Sequence, residues 1–243
     1  MVVQGRHAED TSPGELVGAH LEDHRDGFHD EDAAHDEEHD LLAHDRGDVG
    51  RADALAAGIE AITVYAFSTE NWRRPVDEVR YLMGFNESLL KRRRDELHAE
   101  GIRITFSGRR DWRVPRRVLK NMEEAEELTK RNKVMTLNMA FNYGGRAEIV
   151  DAVRQLVADG VRADKIDEKA IRSRLYHPEI PDPDVVVRTS GEYRISNYLL
   201  WESAYSEFVF TDVLWPDFRT ADLRAAIVEF QQRDRRFGGV EDA

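Results

Sequence analysis

The sequence predicts an α/β protein: a central, mostly parallel sheet flanked by helices. Three observations carry that prediction. Short apolar runs recur at 61–67, 102–106, 134–141, 184–188 and 208–211, and segments with helical spacing lie between them. Strands alternating with helices favour crossover connections, which give parallel pairing with helices on both faces. Several strands also run directly into turn-forming residues, as at Ser107-Gly108, Gly144-Gly145 and Ser190-Gly191.

The elements follow in order. Ala61–Phe67 (AITVYAF) is a β-type run. Val76–Glu100 is a long helix with Val79, Leu82, Met83, Phe85, Leu89 and Leu90 on one side and a basic KRRR at 91–94; Gly101 ends it. Ile102–Phe106 is a strand, and Pro115–Arg131 a strongly charged helix. Val134–Phe141 (VMTLNMAF) is a strand, and Arg146–Ala158 a helix with Ile149, Val150, Val153 and Leu156 inward. A short helix covers about 167–175, then strand Asp184–Arg188. Asn197–Ala204 reads as a helix, Phe208–Thr211 as a strand, and Ala221–Arg235 as the closing helix.

Composition narrows the function classes. The chain has 243 residues, 35 Lys and Arg against 48 Asp and Glu, a formal charge of −13 and no Cys. This length suits one domain, or two small ones. The absence of Cys excludes disulfides, thiolate metal sites and cysteine nucleophiles, and fits a cytoplasmic address. No apolar run approaches the roughly 20 residues of a membrane-spanning helix, which predicts a soluble protein. An acidic total argues against nucleic acid as a partner.

The charge is unevenly placed. Residues 1–60 hold 17 Asp and Glu against 4 Lys and Arg, whereas 61–243 hold 31 of each. The stretch Glu22–Asp40 has almost nothing to bury, so the acidic N-terminal segment is expected to be largely disordered. Two parts are predicted: an atypical His/Asp-rich segment at 1–52, and a domain at 53–243 whose order begins in ADALAAGIEAI. Deleting residues 1–50 is then expected to alter stability little. His35-Asp36-Glu37-Glu38-His39 fits the H-x-x-E-H metalloprotease pattern, but in so biased a tract a chance match is the simpler reading.

Ligands in a parallel α/β sheet sit beyond the carboxyl ends of the strands. Ser68-Thr69-Glu70-Asn71-Trp72-Arg73-Arg74-Pro75 stands at such a place. A capped helix start explains Ser68, Thr69 and Pro75, but not an Asn-Trp-Arg cluster. Arg188-Thr189-Ser190-Gly191-Glu192-Tyr193-Arg194-Ile195-Ser196-Asn197 stands at another. Its two arginines and a helix start beyond them suit phosphate oxygens. Asn142-Tyr143-Gly144-Gly145-Arg146 is a third, with helix entry as the plainer explanation of its glycines. Glu207, beside an apolar strand, is a candidate Mg²⁺ ligand or an edge carboxylate.

Together these segments resemble the cis-prenyltransferase family, the isoprenyl transferases typified by undecaprenyl diphosphate synthase. The carriers are AFSTENWRRP at 66–75, NYGGR at 142–146, RTSGEYRISN at 188–197, LLWESAYSEFVFTDVLWPDF at 199–218 and RRFGG at 235–239. The resemblance covers about 58–239 and implies condensation of isopentenyl diphosphate with an allylic diphosphate to give a Z-polyprenyl diphosphate. It implies that Asn71 accepts the proton or positions its acceptor. Ser68, Thr69, Glu70, Trp72 and Arg74 match substrate-contacting positions, and Phe67 lies near the allylic chain. Arg188, Arg194 and Ser196, with Ile195 between them, match the grip on isopentenyl diphosphate, and Tyr193 occupies a position that is His in some members. Glu207 matches a Mg²⁺ ligand. A homodimer, and peripheral contact with the inner face of the membrane for product release, are implied as well.

One departure stands out. The family's first strand normally ends in Met-Asp-Gly-Asn-Gly-Arg-Trp-Ala, whose Asp binds Mg²⁺ and whose loop cradles the allylic diphosphate. That motif is absent, and EDHRDGF stands near its place at 22–28. The expectation is that residues 1 to about 52 derive from another reading frame and that the domain lacks its first strand. Two functions follow: the transferase itself, or a non-catalytic prenyltransferase-like binding subunit.

Overall fold

The computed structural model describes residues 1–5 and 58–233. Six strands form one sheet: β1 (Val2–Gly5), β2 (Ile59–Ser68), β3 (Ile102–Ser107), β4 (Met135–Tyr143), β5 (Val185–Arg188) and β6 (Glu207–Phe210). Their spatial order is β3-β4-β2-β1-β5-β6. β2, β3 and β4 pair in parallel, as do β5 and β6; β1 is antiparallel to both neighbours, β2 and β5. The helices are α1 (Val76–Ala99), α2 (Arg116–Thr129), α3 (Gly145–Ala158), α4 (Glu168–Arg172) and α5 (Thr220–Gln231). The predicted architecture, a mostly parallel sheet flanked by helices, is the one observed.

Helix spacing explains the packing. α2 buries Val118, Asn121, Met122, Ala125 and Thr129, a stripe at three- and four-residue steps. These meet Leu82, Met83, Leu90 and Leu97 of α1 over Ile104, Phe106, Met139 and Phe141 of the sheet. Each such large side chain contributes on the order of 1.5–3 kcal/mol of burial. A second cluster joins Tyr65, Ala140, Tyr143, Val186, Tyr198 and Leu199.

Two irregularities aim the strand ends. β2 shifts register between Tyr65 and Ser68, which turns Phe67 into the α1/α2 core one residue after Ala66. Asn142 has φ 50°, and the next side chain, Tyr143, joins the second cluster instead of the first.

Several expectations need correction. The first residues do not stand wholly apart from the domain, because Val2–Gly5 lies in the sheet between β2 and β5. Met1 packs against the core, and its carbonyl accepts from Val187 N–H at 2.9 Å. The basis for a harmless deletion of 1–50 is therefore gone. The rest of the acidic segment, with its expected disorder and the H-x-x-E-H match, lies outside the described residues, as do Phe85 and Leu89 as side chains. α3 turns Gly145, Glu148, Ala152 and Leu156 inward, leaving Val150 45% exposed. The apolar pattern missed this face because it contains a carboxylate. Asn197–Ala204 is not a helix: Asn197 and Leu199 have φ of 61° and 42°, and only Glu202–Tyr205 forms a 3₁₀ turn.

Candidate active site

β2 ends at Ser68, β4 at Tyr143 and β5 at Arg188, all on the carboxyl edge of the sheet. The loops beyond them are tied together. Thr69 N–H donates to Tyr143 O at 2.8 Å. Ser68 N–H donates to Asn71 Oδ1 at 2.7 Å, and Asn71 N–H to Ser68 Oγ at 3.2 Å. This reciprocal pair folds 68–71 into a tight turn ahead of a 3₁₀ turn at Asn71–Arg73. With its oxygen engaged, Asn71 offers a ligand its amide N–H groups.

Trp72 donates its indole N–H to Asn142 Oδ1 at 2.7 Å, and Asn142 Nδ2 donates to Arg109 O at 2.7 Å. The indole stands edge-on to Phe67 at 5.0 Å, with the Arg113 guanidinium 5.7 Å over its ring. Phe67 lies 5.6 Å from Phe141, which lines a small apolar cavity with Leu90, Phe106, Val118, Asn121, Met122 and Met139. Packed apolar rings thus run from the strand end to the α1/α2 core.

Asn197 is the clamp. Its Oδ1 accepts from Arg146 N–H at 2.9 Å, its carbonyl accepts from Gly145 N–H at 2.7 Å, and its Nδ2 donates to Glu70 Oε1 at 2.9 Å. Burial alone would raise Glu70, but hydrogen bonds from Asn197, Thr69 and Ser68 outweigh it and hold the carboxyl below its ordinary value. Gly144 makes the approach feasible: a Cβ there would stand 2.5 Å from Thr69 Oγ1 and 2.8 Å from Asn197 Nδ2. Three strand-end segments, from β2, β4 and β5, converge on this one amide.

The 190–199 segment is unusually bent. Ser190, Gly191, Ser196, Asn197 and Leu199 all have positive φ. Non-glycine residues in this region mark strain that surrounding contacts must hold, and they cluster at ligand sites. Arg188 closes β5 with its Nε buried and unpartnered among protein atoms. Arg194 is exposed and paired with Glu192; Ile195 is 38% exposed; Arg74 is paired with Glu78.

Ser68, Thr69, Glu70, Asn71 and Trp72 are thus gathered with the 188–197 loop, and Phe67 lies beneath them. One expectation is not met, and one candidate residue stands apart from the rest. The helix start expected beyond Arg194 does not form, because Ser196, Asn197 and Leu199 have positive φ, so no helix N–H groups are offered to a phosphate there. Glu207 is the first residue of β6, so it stands at the amino edge, opposite Val185, roughly 10 Å of strand from the carboxyl edge. It pairs there with Arg233 at 2.8 Å.

Reasoning from sequence missed Gly144 and Asn197 as site builders, and it missed Glu148 and Glu202 beneath them. The available signal was a carboxylate on the inward stripe of α3 and a Gly-Gly pair that helix entry does not need.

The fold and edge define an α/β scaffold with an arginine-bearing loop at the carboxyl edge and packed apolar rings behind it. Comparison sharpens this. Residues 43–238 match the family described as putative undecaprenyl diphosphate synthase. The chain is 50% identical over 192 residues to trans,polycis-polyprenyl diphosphate synthase ((2Z,6E)-farnesyl diphosphate specific) of Thermobifida fusca, covering 77% of this chain and 68% of that protein. It is 51% identical over 205 residues to isoprenyl transferase 2 of Corynebacterium glutamicum, covering 81% and 84%. Among solved structures, lavandulyl diphosphate synthase from Lavandula x intermedia in complex with dimethylallyl diphosphate superposes with a TM-score of 0.73 at 36% identity, covering 76% of this chain and 81% of that one. The chain belongs to the cis-prenyltransferase (isoprenyl transferase) family.

Proposed function

We propose that this chain condenses isopentenyl diphosphate with an allylic diphosphate to form a Z-polyprenyl diphosphate, and that its described edge is the isopentenyl diphosphate side of the site. The Asn197 clamp carries the reading. It fixes the Asn71 turn, the Gly144-Gly145 turn and the Arg188–Ser196 loop in one place, where guanidinium groups can meet a diphosphate. Asn71 holds the acceptor for proton loss, and Trp72, Phe67 and Phe141 steer the hydrocarbon toward the α1/α2 core.

Magnesium is the ion this reaction calls for in the family. The donor set does not fit it among the described residues. Glu207 is engaged by Arg233 at the wrong edge, and no group of three metal-ligating side chains forms there. No step is therefore routed through the ion.

A second reading has its own observation. β1 enters the sheet antiparallel to β2 and β5, so its outgoing end lies at the opposite edge and it delivers no loop to the carboxyl edge between them. On this reading the chain acts as a non-catalytic subunit that holds one diphosphate. Incubation of the full chain with Mg²⁺, labelled isopentenyl diphosphate and farnesyl or geranyl diphosphate separates the two. Elongated product, lost in Asn71→Ala, supports the first reading. No product with retained diphosphate binding supports the second.

The reading extends to a homodimer. Tyr193 and Tyr205 are 75% and 77% exposed, and Tyr193 lies 5.1 Å from the ring of partly exposed Phe210. Such an apolar patch favours self-association. No helix among the described residues is long and apolar enough to cross a membrane. Peripheral contact with a membrane face from the cytoplasm follows from the apolar product.

A further inference from the structure

Beneath the clamp lies a polar cluster that the condensation does not use. Glu148, on the buried stripe of α3, is 2% exposed. Its Oε2 accepts from the Tyr143 hydroxyl, and its Oε1 accepts from Tyr176 N–H at 2.9 Å. Glu202, which opens the 202–205 turn, faces it within hydrogen-bond reach, and Glu202 Oε2 is buried with no protein partner.

We propose that Glu148 and Glu202 form a buried carboxyl pair holding one shared proton, and that this proton keeps the Asn197 clamp closed. Two ionised carboxylates this close in a poorly solvated site repel strongly, so one proton stays. The charged and titratable neighbours do not cancel that repulsion. Arg172 of α4 is the cation that acts on Glu202; its Nη2 is committed to Ile180 O at 2.7 Å and to Asp182 at 3.1 Å, its Nη1 is buried without a protein partner, and its pull is weaker than the push of burial and of Glu148. His177 acts on Glu148 from a distance while its ring nitrogens meet Glu179 and Phe106 O. Tyr143, Tyr176 and Tyr198 are phenols that burial pushes further toward the neutral form. Burial first, and then the Glu148 charge, raise Glu202 to about 8; burial raises Glu148 in the same direction.

The pair spans the two sides of the clamp. Glu148 lies one turn into α3, whose Gly145 and Arg146 N–H groups meet Asn197. Glu202 lies on the turn tied back to the clamp by Ser203 N–H to Leu199 O at 2.9 Å. Loss of the shared proton to solvent places two negative charges between α3 and the 197–203 segment and pushes them apart. Asn197 then loses Arg146 N–H on one side or Glu70 on the other. Glu148 and Glu202 are positioning residues. Only the consequence for substrate rests on the diphosphate reading above.

The sign is fixed by the raised carboxyls. The folded state binds the extra proton, so its stabilisation is complete below the ordinary carboxylate range and is lost as pH rises toward about 8. The test uses the full chain, Glu202→Gln and, should that variant fold poorly, Glu148→Gln. Infrared difference spectra report a protonated buried carboxyl, hydrogen exchange at 145–146 reports the clamp, and equilibrium binding uses labelled isopentenyl diphosphate at pH 7 and 9. The protonated-carboxyl band is expected at pH 7, is lost by pH 9 and is missing from the Gln variant. Exchange at 145–146 rises with pH beyond its intrinsic increase only in the unsubstituted chain, and binding weakens severalfold only there. Absence of the band at pH 7, or equal pH dependence in both proteins, overturns the proposal. A chain that binds no isopentenyl diphosphate at either pH, yet shows the band and the exchange change, refutes the diphosphate reading and leaves the carboxyl pair supported.

Discussion

β2 and β4 pair along their length, from Ala61–Thr136 to Ser68–Tyr143, and their outgoing loops are bound to each other by Thr69 and Tyr143. β1 and β5 meet only at Val2–Val186 and Val3–Val185, with opposite sense. The first seam delivers two loops to the carboxyl edge, and the second delivers one, from β5. The difference teaches that a strand end becomes a site when neighbouring loops are tied together, and that sheet continuity alone does not supply it. Among the described residues, the tied loops lie on the β2/β4 side of the carboxyl edge.

The largest expected effect lies where the end of β3 meets β4, the strand that carries the well-built seam. A Cβ at Gly108 would stand 1.9 Å from Phe141 O, at φ +137°. Gly108→Ala should therefore cost about 4 kcal/mol or prevent folding, seen in urea denaturation. The β1 seam is tested by Val3→Pro, which removes a ladder donor and should cost about 3 kcal/mol. An unchanged melting temperature would show that β1 adds nothing to the sheet. Asn197→Ala removes two side-chain hydrogen bonds and replaces Asn at φ 61°. About 2 kcal/mol is expected, measured by thermal unfolding. Trp72→Phe leaves Oδ1 of the fully buried Asn142 unpaired, for about 1 kcal/mol.

The smallest effect lies at the rim. Burial alone would raise Asp151, but the Arg109 pair at 2.7 Å and the Tyr176 hydroxyl hold its carboxyl below the ordinary value. Its stabilisation is present above the ordinary Asp range and is lost as pH falls below it. Asp151→Asn should thus be less stable at pH 7 by about 1 kcal/mol or less, and no less stable near pH 2.

Much of the parallel body was legible. Period-two runs bounded by turns located β2 to β5, and the apolar stripes located α1 and α2. The residues around Asn71 and Arg188 could be picked out because their types serve no core or cap. The rest was hidden by long-range geometry. Glu207 looked like a strand-end ligand, but which end it occupies depends on where β6 begins. Asn197 and Leu199 lie in a polar-apolar pattern that mimics a helix, and only positive φ shows otherwise. Glu148 was passed over because its inward direction is set by Tyr143 and Tyr176, from other elements. Val2–Gly5 carries no pattern beyond four residues, so its pairing could not be read ahead of the sheet.

The most direct test of the central claim is equilibrium binding of labelled isopentenyl diphosphate to the full chain and to Asn197→Ala, at neutral pH. Saturable binding that weakens tenfold or more in the variant is the predicted result. No binding by the unsubstituted chain, or equal affinity in both proteins, would contradict the claim that this clamp assembles a diphosphate site.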